Sequence, residues 1–492
     1  MKNTTPGINK AKIILWFFII AYIVYFSFFT IMRYRTLHAY YLDLGIMHQT
    51  VYNTYRALTN LDWSRVLEHT EPFGISQVKR MAIHNDIILA PLAIFYLIYA
   101  SPATLLIIQA ALLGLGAWFI FKIAQLVFEK SKYRDAFSLL FSIGYLFYPP
   151  LQKANMFDFH GVTLATTFLL AMFYFWIKKR YGWSFLFVFL ALITKEQVGL
   201  TTAFFGLYTF FFTAKNQRKT AFSFWIVATS LMWFVLSVFV IIPYFRGGSE
   251  HFALEYYRAL SSPINISQRL FGVSTWSYLL SLLGPTGFLS LLSPLQLLIA
   301  APEFGINLLS GNPNLRNIYY HYTSVITPFV YISSIYGANV ILNSFQDLPS
   351  KNRILKRVQN DINKYLAFFI TIFFLLFAYL QGPLPLAKMQ EVRPFVKPFK
   401  EASLAADWSV KLKDEKLKIS TSGKLAPYFS SRRYFYNFSQ YYEAADYVVI
   451  MPEDVYNYSV RESLVPAYRQ LQNDKRFELI FKQNNFEVYK KI

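Results

Sequence analysis

The sequence predicts a mostly α-helical, polytopic membrane protein with about eleven transmembrane helices, followed by a small C-terminal α/β domain outside the membrane. Of its 492 residues, 55% are hydrophobic and 15% are charged, whereas soluble domains carry about 25% charged residues. Apolar runs of about 20 residues, the length that crosses a bilayer as a helix, recur along the chain. After residue 382 these runs stop, and short strand-like segments replace them.

The charge and the missing cysteines exclude several function classes. The net charge is +21, but Lys and Arg of membrane proteins collect in cytoplasmic loops and near anionic lipid. We therefore expect membrane lipid as a partner and no nucleic acid. Because the chain has no cysteine, disulfides, thiolate metal sites and a cysteine nucleophile are excluded.

The first apolar run, 13–32, is not followed by a cleavage signature, so it predicts a membrane anchor and not a removed signal peptide. Lys2, Lys10 and Lys12 precede it and predict a cytoplasmic N-terminus. The further candidate spans are 104–127, 136–150, 162–177, 182–194, 198–213, 221–243, 321–343 and 364–381, with a hairpin or re-entrant pair at 276–309 that Gly284-Pro285 and Ser293-Pro294 interrupt.

The segment 86–100 decides which loops lie outside, since it is short for a span and contains Pro91. If it stays in the interface, the predicted cytoplasmic loops hold 13 Lys and Arg and the opposite short loops up to residue 320 hold six. The positive-inside rule therefore favours an interfacial segment in a multi-pass plasma-membrane protein. The predicted domains are a membrane domain, 1–382, with outer loops 33–103, 150–161, 244–275 and 310–321, and an extracytoplasmic domain, 383–492.

Asp43 precedes an amphipathic pattern that predicts a helix along the outer surface. The carboxylate either caps that helix or faces an acceptor at the membrane surface. His48 lies five positions later, so the two side chains would not share one helix face well.

Imidazole and carboxylate side chains also collect at other outer boundaries. His84, Asp86, Asp158 and His160 are candidate ligands of a divalent metal such as Mg, Mn or Zn. The alternative is a set of solvated loop residues, with Asp158 as the cap of the span that begins near 161.

Lys195 and Glu196 interrupt a long apolar stretch, 182–213. As one helix it would run about 48 Å, longer than a hydrocarbon core of about 30 Å. We therefore predict two short helices with Lys195 and Glu196 at their tip. Charged side chains at the tip of such a hairpin, near the membrane interface, indicate a functional site. The alternative is that the two side chains simply extend outward to water.

Arg316 and His321 lie among Asn, Tyr and Thr before another span. Arg is suited to forked contacts with phosphate, and the alternative is an aromatic belt with an exposed Arg. Lys195, Arg316, His321 and His48 are the candidate phosphate-binding residues. Farther on, "LKISTSGKLAPYFSS", "ADYVVIM" and "FELIFKQNNFEVYKK" predict strand–loop–helix, strand and hairpin.

Several motifs together resemble a family of prokaryotic membrane proteins, domain of unknown function family 2079. These are "YLDLGIMHQTVYNT", "HND", "YPPLQKANMFDFHGV", "LALITKEQVGL", "LLSGNPNLRNIYYHYTSVITPF" and "ISTSGKLAPYFSSRR", in that order, from about 40 to 450. The resemblance implies a fold and no particular reaction.

The layout also resembles the type-C glycosyltransferase (GT-C) superfamily, whose members move sugars from polyprenyl-phosphate carriers to acceptors on the outer face. Asp43 matches the acidic residue of the first outer loop, and Asp158 matches that of the second. His84, His160 and the Lys195-Glu196 pair depart from the commoner members.

Our leading hypothesis is therefore a cell-envelope glycosyltransferase with catalytic residues Asp43, Asp158 and Glu196. Asp43 would be the general base, and Asp158 with His84 or His160 would hold a metal or the donor phosphate. Lys195, oriented by Glu196, and Arg316 would stabilise the phosphate leaving group. A lipid or small-molecule transporter, or flippase, is the alternative, and a non-catalytic membrane scaffold is a third possibility.

Overall fold

The computed structural model describes residues 10–212, 217–346, 353–457 and 461–492. The protein is mostly helical with a small C-terminal sheet, as the sequence predicts. Among the described residues, the helices long and apolar enough to cross a membrane are Lys10–Arg35, Pro102–Val127, Thr220–Phe245 and Asp361–Gln381. The predicted loops 215–219 and 351–357 lie partly outside the described residues.

Shorter helices fill the space between these spans. Those of eight residues or more are Ile46–Asn60, Arg134–Leu146, Pro149–Met156, Ala165–Ile177, Tyr181–Leu192, Val198–Phe212, Pro263–Phe271, Val273–Leu283, Ala301–Leu309, Thr327–Gln346, Ala402–Lys411 and Arg461–Asn473. Helices of one or two turns are Leu89–Leu92, Pro294–Leu297, Arg393–Val396, Ala426–Phe429 and Pro452–Asn457, and Ile242–Phe245 is the last turn of the span Thr220–Phe245.

The apolar stretch 182–213 divides as predicted. Helix Tyr181–Leu192 ends just before Lys195, and helix Val198–Phe212 begins just after Glu196 and Gln197. The two helices leave both charged residues at the tip of a short hairpin. The region 276–309 is broken as well, because one helix ends at Leu283, before Gly284-Pro285, and another begins at Pro294.

The segment 86–100 contains only the short helix Leu89–Leu92 and the 3-10 turn Ala93–Leu97. Together they span less than about 15 Å at helical rise, about half of a hydrocarbon core. Ile94, Leu97 and Ile98 are exposed. This length and exposure agree with a segment that does not cross the membrane.

Helix Ile46–Asn60 forms where predicted, and much of it is buried. The C-terminal domain covers it. His48 Nε2 lies 2.8 Å from Ser431 Oγ, and Arg56 forms an ion pair with Glu415 at 2.6 Å. The amphipathic pattern correctly indicated one apolar face of this helix. It could not indicate that the opposite face would be covered, because the covering domain comes from far along the chain.

The C-terminal domain contains the predicted strands and hairpin, with one further strand, β4. The strands of the protein are β1 (Glu68–Thr70), β2 (Gln77–Lys79), β3 (Ile419–Thr421), β4 (Phe435–Asn437), β5 (Tyr447–Ile450), β6 (Phe477–Gln483) and β7 (Phe486–Lys491). β1 and β2 form a separate hairpin. The main sheet has the order β4-β3-β5-β7-β6, with β3 parallel to β4 and β5 and the β6–β7 hairpin antiparallel.

A glycine allows three functional loops to approach one another. Ile88 N–H donates to Ile193 O at 2.9 Å, which joins the loop after β2 to the hairpin tip. Gly161 packs against both, since a Cβ there would lie 2.9 Å from Ile88 Cγ2 and 3.4 Å from Thr194 O. A larger residue would push the 157–161 loop away from the other two.

Candidate functional site

The loops meet around a cavity of about 750 Å³. Six separate segments contribute to it, and their ionisable side chains face one another across it. These lining residues are Asp43, Glu71, Arg80, His84, Asp86, His160, Lys195, Arg246 and His321. Of the predicted site residues, the structure thus brings Asp43, His84, Asp86, His160, Lys195 and His321 together, although they lie far apart in sequence.

Asp43 lies in a single π-helical turn, Tyr41–Gly45, where the chain leaves its first long helix. Its carboxylate makes no capping hydrogen bond, since Gly45 occupies the N-cap position of the following helix. The side chain is 27% exposed, and Oδ1 lies 3.2 Å from His160 Nε2. The interpretation of Asp43 as a helix cap is therefore wrong, and its carboxylate is open to the cavity.

The His160 ring is held on its other side. Its Nδ1 lies 3.0 Å from the carbonyl oxygen of Asp158, which can only accept, so Nδ1 carries a proton. The ring stacks on His321 with 3.8 Å between centroids. These contacts direct Nε2 of His160 towards Asp43.

Asp158 lies behind the cavity and does not line it. Its Oδ2 accepts from Tyr40 N–H at 3.1 Å, and Oδ1 lies 3.8 Å from an Arg33 nitrogen. It does not cap the segment that begins at Gly161, whose N-cap is His160. Burial raises the pKa of Asp158 to about 6, although Arg33 opposes the shift. Asp158 thus anchors the turn that carries Asp43.

Glu196 is enclosed by three N–H groups. Oε1 lies 2.8 Å from His84 Nδ1 and 3.1 Å from His251 Nε2, and Oε2 accepts from Asn85 N–H at 3.0 Å. Burial opposes its ionisation, but His84, His251 and Lys195 together hold the pKa of Glu196 well below its usual range. Burial and the Lys195 cation lower the pKa of His84 to about 4, although Glu196 opposes this.

Lys195 does not pair with Glu196, contrary to the prediction that Glu196 orients it. Glu196 is engaged by histidines and a backbone N–H instead. Within the described residues, no carboxylate oxygen lies within 4.0 Å of the Lys195 ammonium, although the residue is only 9% exposed. Its Nζ lies 5.9 Å from the centroid of the Tyr322 ring. A buried cation that no carboxylate contacts within 4.0 Å favours an anionic ligand.

Two arginines on the same cavity differ in their partners. Arg80 forms a buried, forked ion pair with Asp86, with Nε 2.8 Å from Oδ1 and an NH2 nitrogen 2.9 Å from Oδ2. Arg246 donates to Ala82 O at 3.1 Å, and its Nε is buried without a partner among the described residues. Arg246 is therefore a second cation with donor capacity left for a ligand.

A second cavity of about 190 Å³ adjoins the first and shares His84, Lys195, Phe252 and Tyr322 with it. Its other walls are mainly apolar. They include Leu200, Phe234, Val238, Leu254, Ile306 and Leu315. Lys195 therefore lies where a polar cavity meets an apolar one.

Two predicted phosphate-binding residues lie elsewhere. His48 is fully buried between Tyr96 and Ser431, at 2.7 and 2.8 Å. Arg316 donates to the carbonyls of Leu308 and Ser310 at 3.1 and 2.7 Å, at the end of a helix. Neither lines the two cavities.

Sequence reasoning missed Arg80, Arg246 and His251. The sequence feature that could have indicated Arg246 and His251 is a Gly-Gly turn directly after a long span. Gly247 and Gly248 adopt φ values of 65° and 92°, and Arg246 and His251 flank them. Such a turn reverses the chain and returns His251 towards the hairpin tip.

The predicted metal ligands do not form one cluster, since Asp86 pairs with Arg80 and Asp158 with Tyr40. Among the described residues, the acid and histidine side chains with three ligand atoms within 4.8 Å of one another are His84, Glu196 and His251. However, His251 Nδ1 accepts from Ala253 N–H at 3.0 Å. The neutral ring must then carry its proton on Nε2, where a metal would bind. This set therefore fits a hydrogen-bonded triad better than a metal centre.

Comparison with known proteins supports the fold. A family model described as "Predicted membrane protein (DUF2079)" matches residues 33–488. No curated protein matches the chain in sequence. Among solved structures, the crystal structure of ArnT from Cupriavidus metallidurans bound to undecaprenyl phosphate matches with a TM-score of 0.52 and 10% identity, over 96% of this chain and 97% of that chain. This similarity shows a shared fold.

Proposed function

We propose that this chain, which belongs to the DUF2079 family of predicted membrane proteins and shares the fold of ArnT, is a membrane glycosyltransferase. It would move a sugar from a polyprenyl-phosphate carrier to a hydroxyl group of an acceptor. The reaction would take place in the 750 Å³ cavity. We place this cavity and the C-terminal domain on the outer face of the plasma membrane, from the loop charges.

Lys195 is the observation that carries the proposal. It is a buried cation without a carboxylate within 4.0 Å among the described residues. It lies where the apolar cavity meets the polar one. A polyprenyl phosphate has the matching chemistry, with a hydrocarbon tail on one side of an anionic group and a sugar on the other. Arg246 lines the same polar cavity and would share the phosphate charge.

Asp43 supports the transfer step. The acceptor oxygen would form a bond to the anomeric carbon while the bond from that carbon to the phosphate oxygen breaks. The hydroxyl proton would pass to the Asp43 carboxylate. His160 Nε2, 3.2 Å away, can share that proton. The carrier phosphate would leave with its negative charge stabilised by Lys195 and Arg246.

Binding of undecaprenyl phosphate to the full-length protein in nanodiscs tests the proposal. We expect Lys195→Gln to weaken binding about 10- to 100-fold, as loss of a charge-assisted contact predicts, and Lys195→Arg to retain most of it. Lys122→Gln is the matched control, since Lys122 packs over Trp118 and lines neither cavity. A wild-type protein that does not bind the lipid would contradict the proposal. Binding without sugar transfer from any glycosylated carrier would favour a flippase.

A further inference from the structure

The protonation of His84 follows from its partner. The Glu196 carboxylate has acceptor atoms only, so each nitrogen that contacts it must donate. His84 Nδ1, 2.8 Å from Oε1, therefore carries a proton. His251 Nε2 and Asn85 N–H fill two further acceptor positions of the same carboxylate. These three donors thus hold Glu196 and the His84 ring in one arrangement.

The free nitrogen of His84 is consequently an acceptor. A neutral imidazole has one N–H, and Nδ1 holds it, so Nε2 presents a lone pair. Within the described residues, the His84 ring forms its hydrogen bond through Nδ1, and Nε2 has no partner. The His84 side chain is 19% exposed and lines both cavities. A carboxylate that fixes one ring nitrogen and leaves the other free is the arrangement that orients histidines in catalytic triads.

The surroundings of this acceptor select its ligand. Lys195 and Arg246 offer only donors, which suit phosphate oxygens. The Asp86 carboxylate is occupied by Arg80. An acceptor beside unpaired donors fits a ligand that carries a hydroxyl group next to a phosphate group, and this is the chemistry of a glycosyl phosphate.

We infer that His84 Nε2 accepts a hydrogen bond from a hydroxyl group of the donor sugar, and that Glu196 and His251 are positioning residues that fix its tautomer. This inference rests on the proposed function. It assigns His84 to recognition of the sugar. His84 would then help the protein to distinguish a glycosylated carrier from the bare carrier phosphate. In this inference Glu196 acts through His84.

The tautomer can be measured directly on the full-length protein. The chain has seven histidines, so ¹⁵N-histidine labelling in nanodiscs gives few signals, and His84→Gln assigns those of His84. We expect a protonated Nδ1 and an unprotonated Nε2 at neutral pH. In Glu196→Gln we expect a mixture of tautomers. A protonated Nε2 in the wild type, or a zinc ion that binds stoichiometrically and shifts the His84 and His251 signals, would overturn the inference.

The recognition role is tested with two lipids, undecaprenyl phosphate and its glucosyl phosphodiester. We expect the wild type to bind the glycosylated lipid more tightly than the bare lipid. His84→Ala should lower the affinity for the glycosylated lipid about five- to tenfold, because one hydrogen bond is lost. Affinity for the bare lipid should not change. His84→Gln keeps an acceptor oxygen near the Nε2 position and should recover part of the loss.

The control variant is His38→Gln, because His38 lines neither cavity. Thermal unfolding checks that every variant folds. Equal losses for both lipids in His84→Ala, or a wild type that does not distinguish them, would contradict the inference. If the wild type binds neither lipid, the proposed function itself fails.

Discussion

His160 Nε2 lies 3.2 Å from Asp43 Oδ1, while His160 Nδ1 donates to the backbone carbonyl of Asp158. With the Nδ1 proton committed to that carbonyl, Nε2 is the nitrogen left to exchange a proton with the Asp43 carboxylate. A hydrogen bond between Nε2 and Oδ1 needs one proton between these two atoms. The pair is therefore suited to take up one proton and share it, which is the requirement of a general base in glycosyl transfer.

Asp43→Asn should abolish that proton uptake with little change in shape. We expect a loss of about 10²- to 10⁴-fold in the transfer rate, the usual contribution of general-base catalysis. The measurement is transfer from a glycosylated polyprenyl phosphate in membranes, with the amount of protein quantified alongside. An abundant and fully active Asp43→Asn protein would remove Asp43 from the reaction.

Asp158 should act through the backbone that it holds. Asp158→Asn keeps an oxygen that accepts from Tyr40 N–H, whereas Asp158→Ala leaves that donor without its partner, at a cost of about 1–3 kcal/mol. We expect Ala to lower the thermal stability and the transfer rate more than Asn does. If Asp158→Asn lowered the transfer rate as much as Asp43→Asn does, with unchanged thermal stability, Asp158 would have a direct part in the chemistry.

The Arg80–Asp86 ion pair should contribute to folding, because both side chains are 4% exposed. Asp86→Asn leaves a buried guanidinium without its carboxylate, and breaking such a pair typically costs about 3–5 kcal/mol. Thermal unfolding in detergent should show a large decrease. Asp135→Asn removes the carboxylate of an exposed pair with Arg134 and serves as the control with a much smaller effect. Equal stability of the two variants would argue against a structural role for Asp86.

The orientation in the membrane can be tested with reporter fusions. A reporter after Lys400 should be active outside the membrane, and one after Lys179 should be cytoplasmic. The loop charges are the physical reason, since Lys and Arg are retained on the cytoplasmic side. A cytoplasmic reporter at Lys400 would place the C-terminal domain, and the cavity beneath it, on the opposite side.

The sequence could predict features that depend on neighbouring residues. The length of an apolar run limits how far a helix can extend in a membrane, so the hairpin with Lys195 and Glu196 at its tip was predictable. Proline and glycine interrupt helices locally, so the breaks near Pro285 and Pro294 were predictable as well. The C-terminal strands were predictable from short segments rich in β-branched and aromatic residues.

The contacts that give each polar residue its role depend on the tertiary structure alone. The pairing of Glu196 with His251 instead of Lys195, and the anchoring of Tyr40 by Asp158, join segments far apart in sequence. Composition and spacing indicate which polar residues lie at the ends of apolar segments, but not which of them meet. Burial is the physical reason that the partners matter, since a charge removed from water requires a specific counter-charge or hydrogen bond. Only folding decided that no carboxylate oxygen among the described residues would lie within 4.0 Å of the Lys195 ammonium.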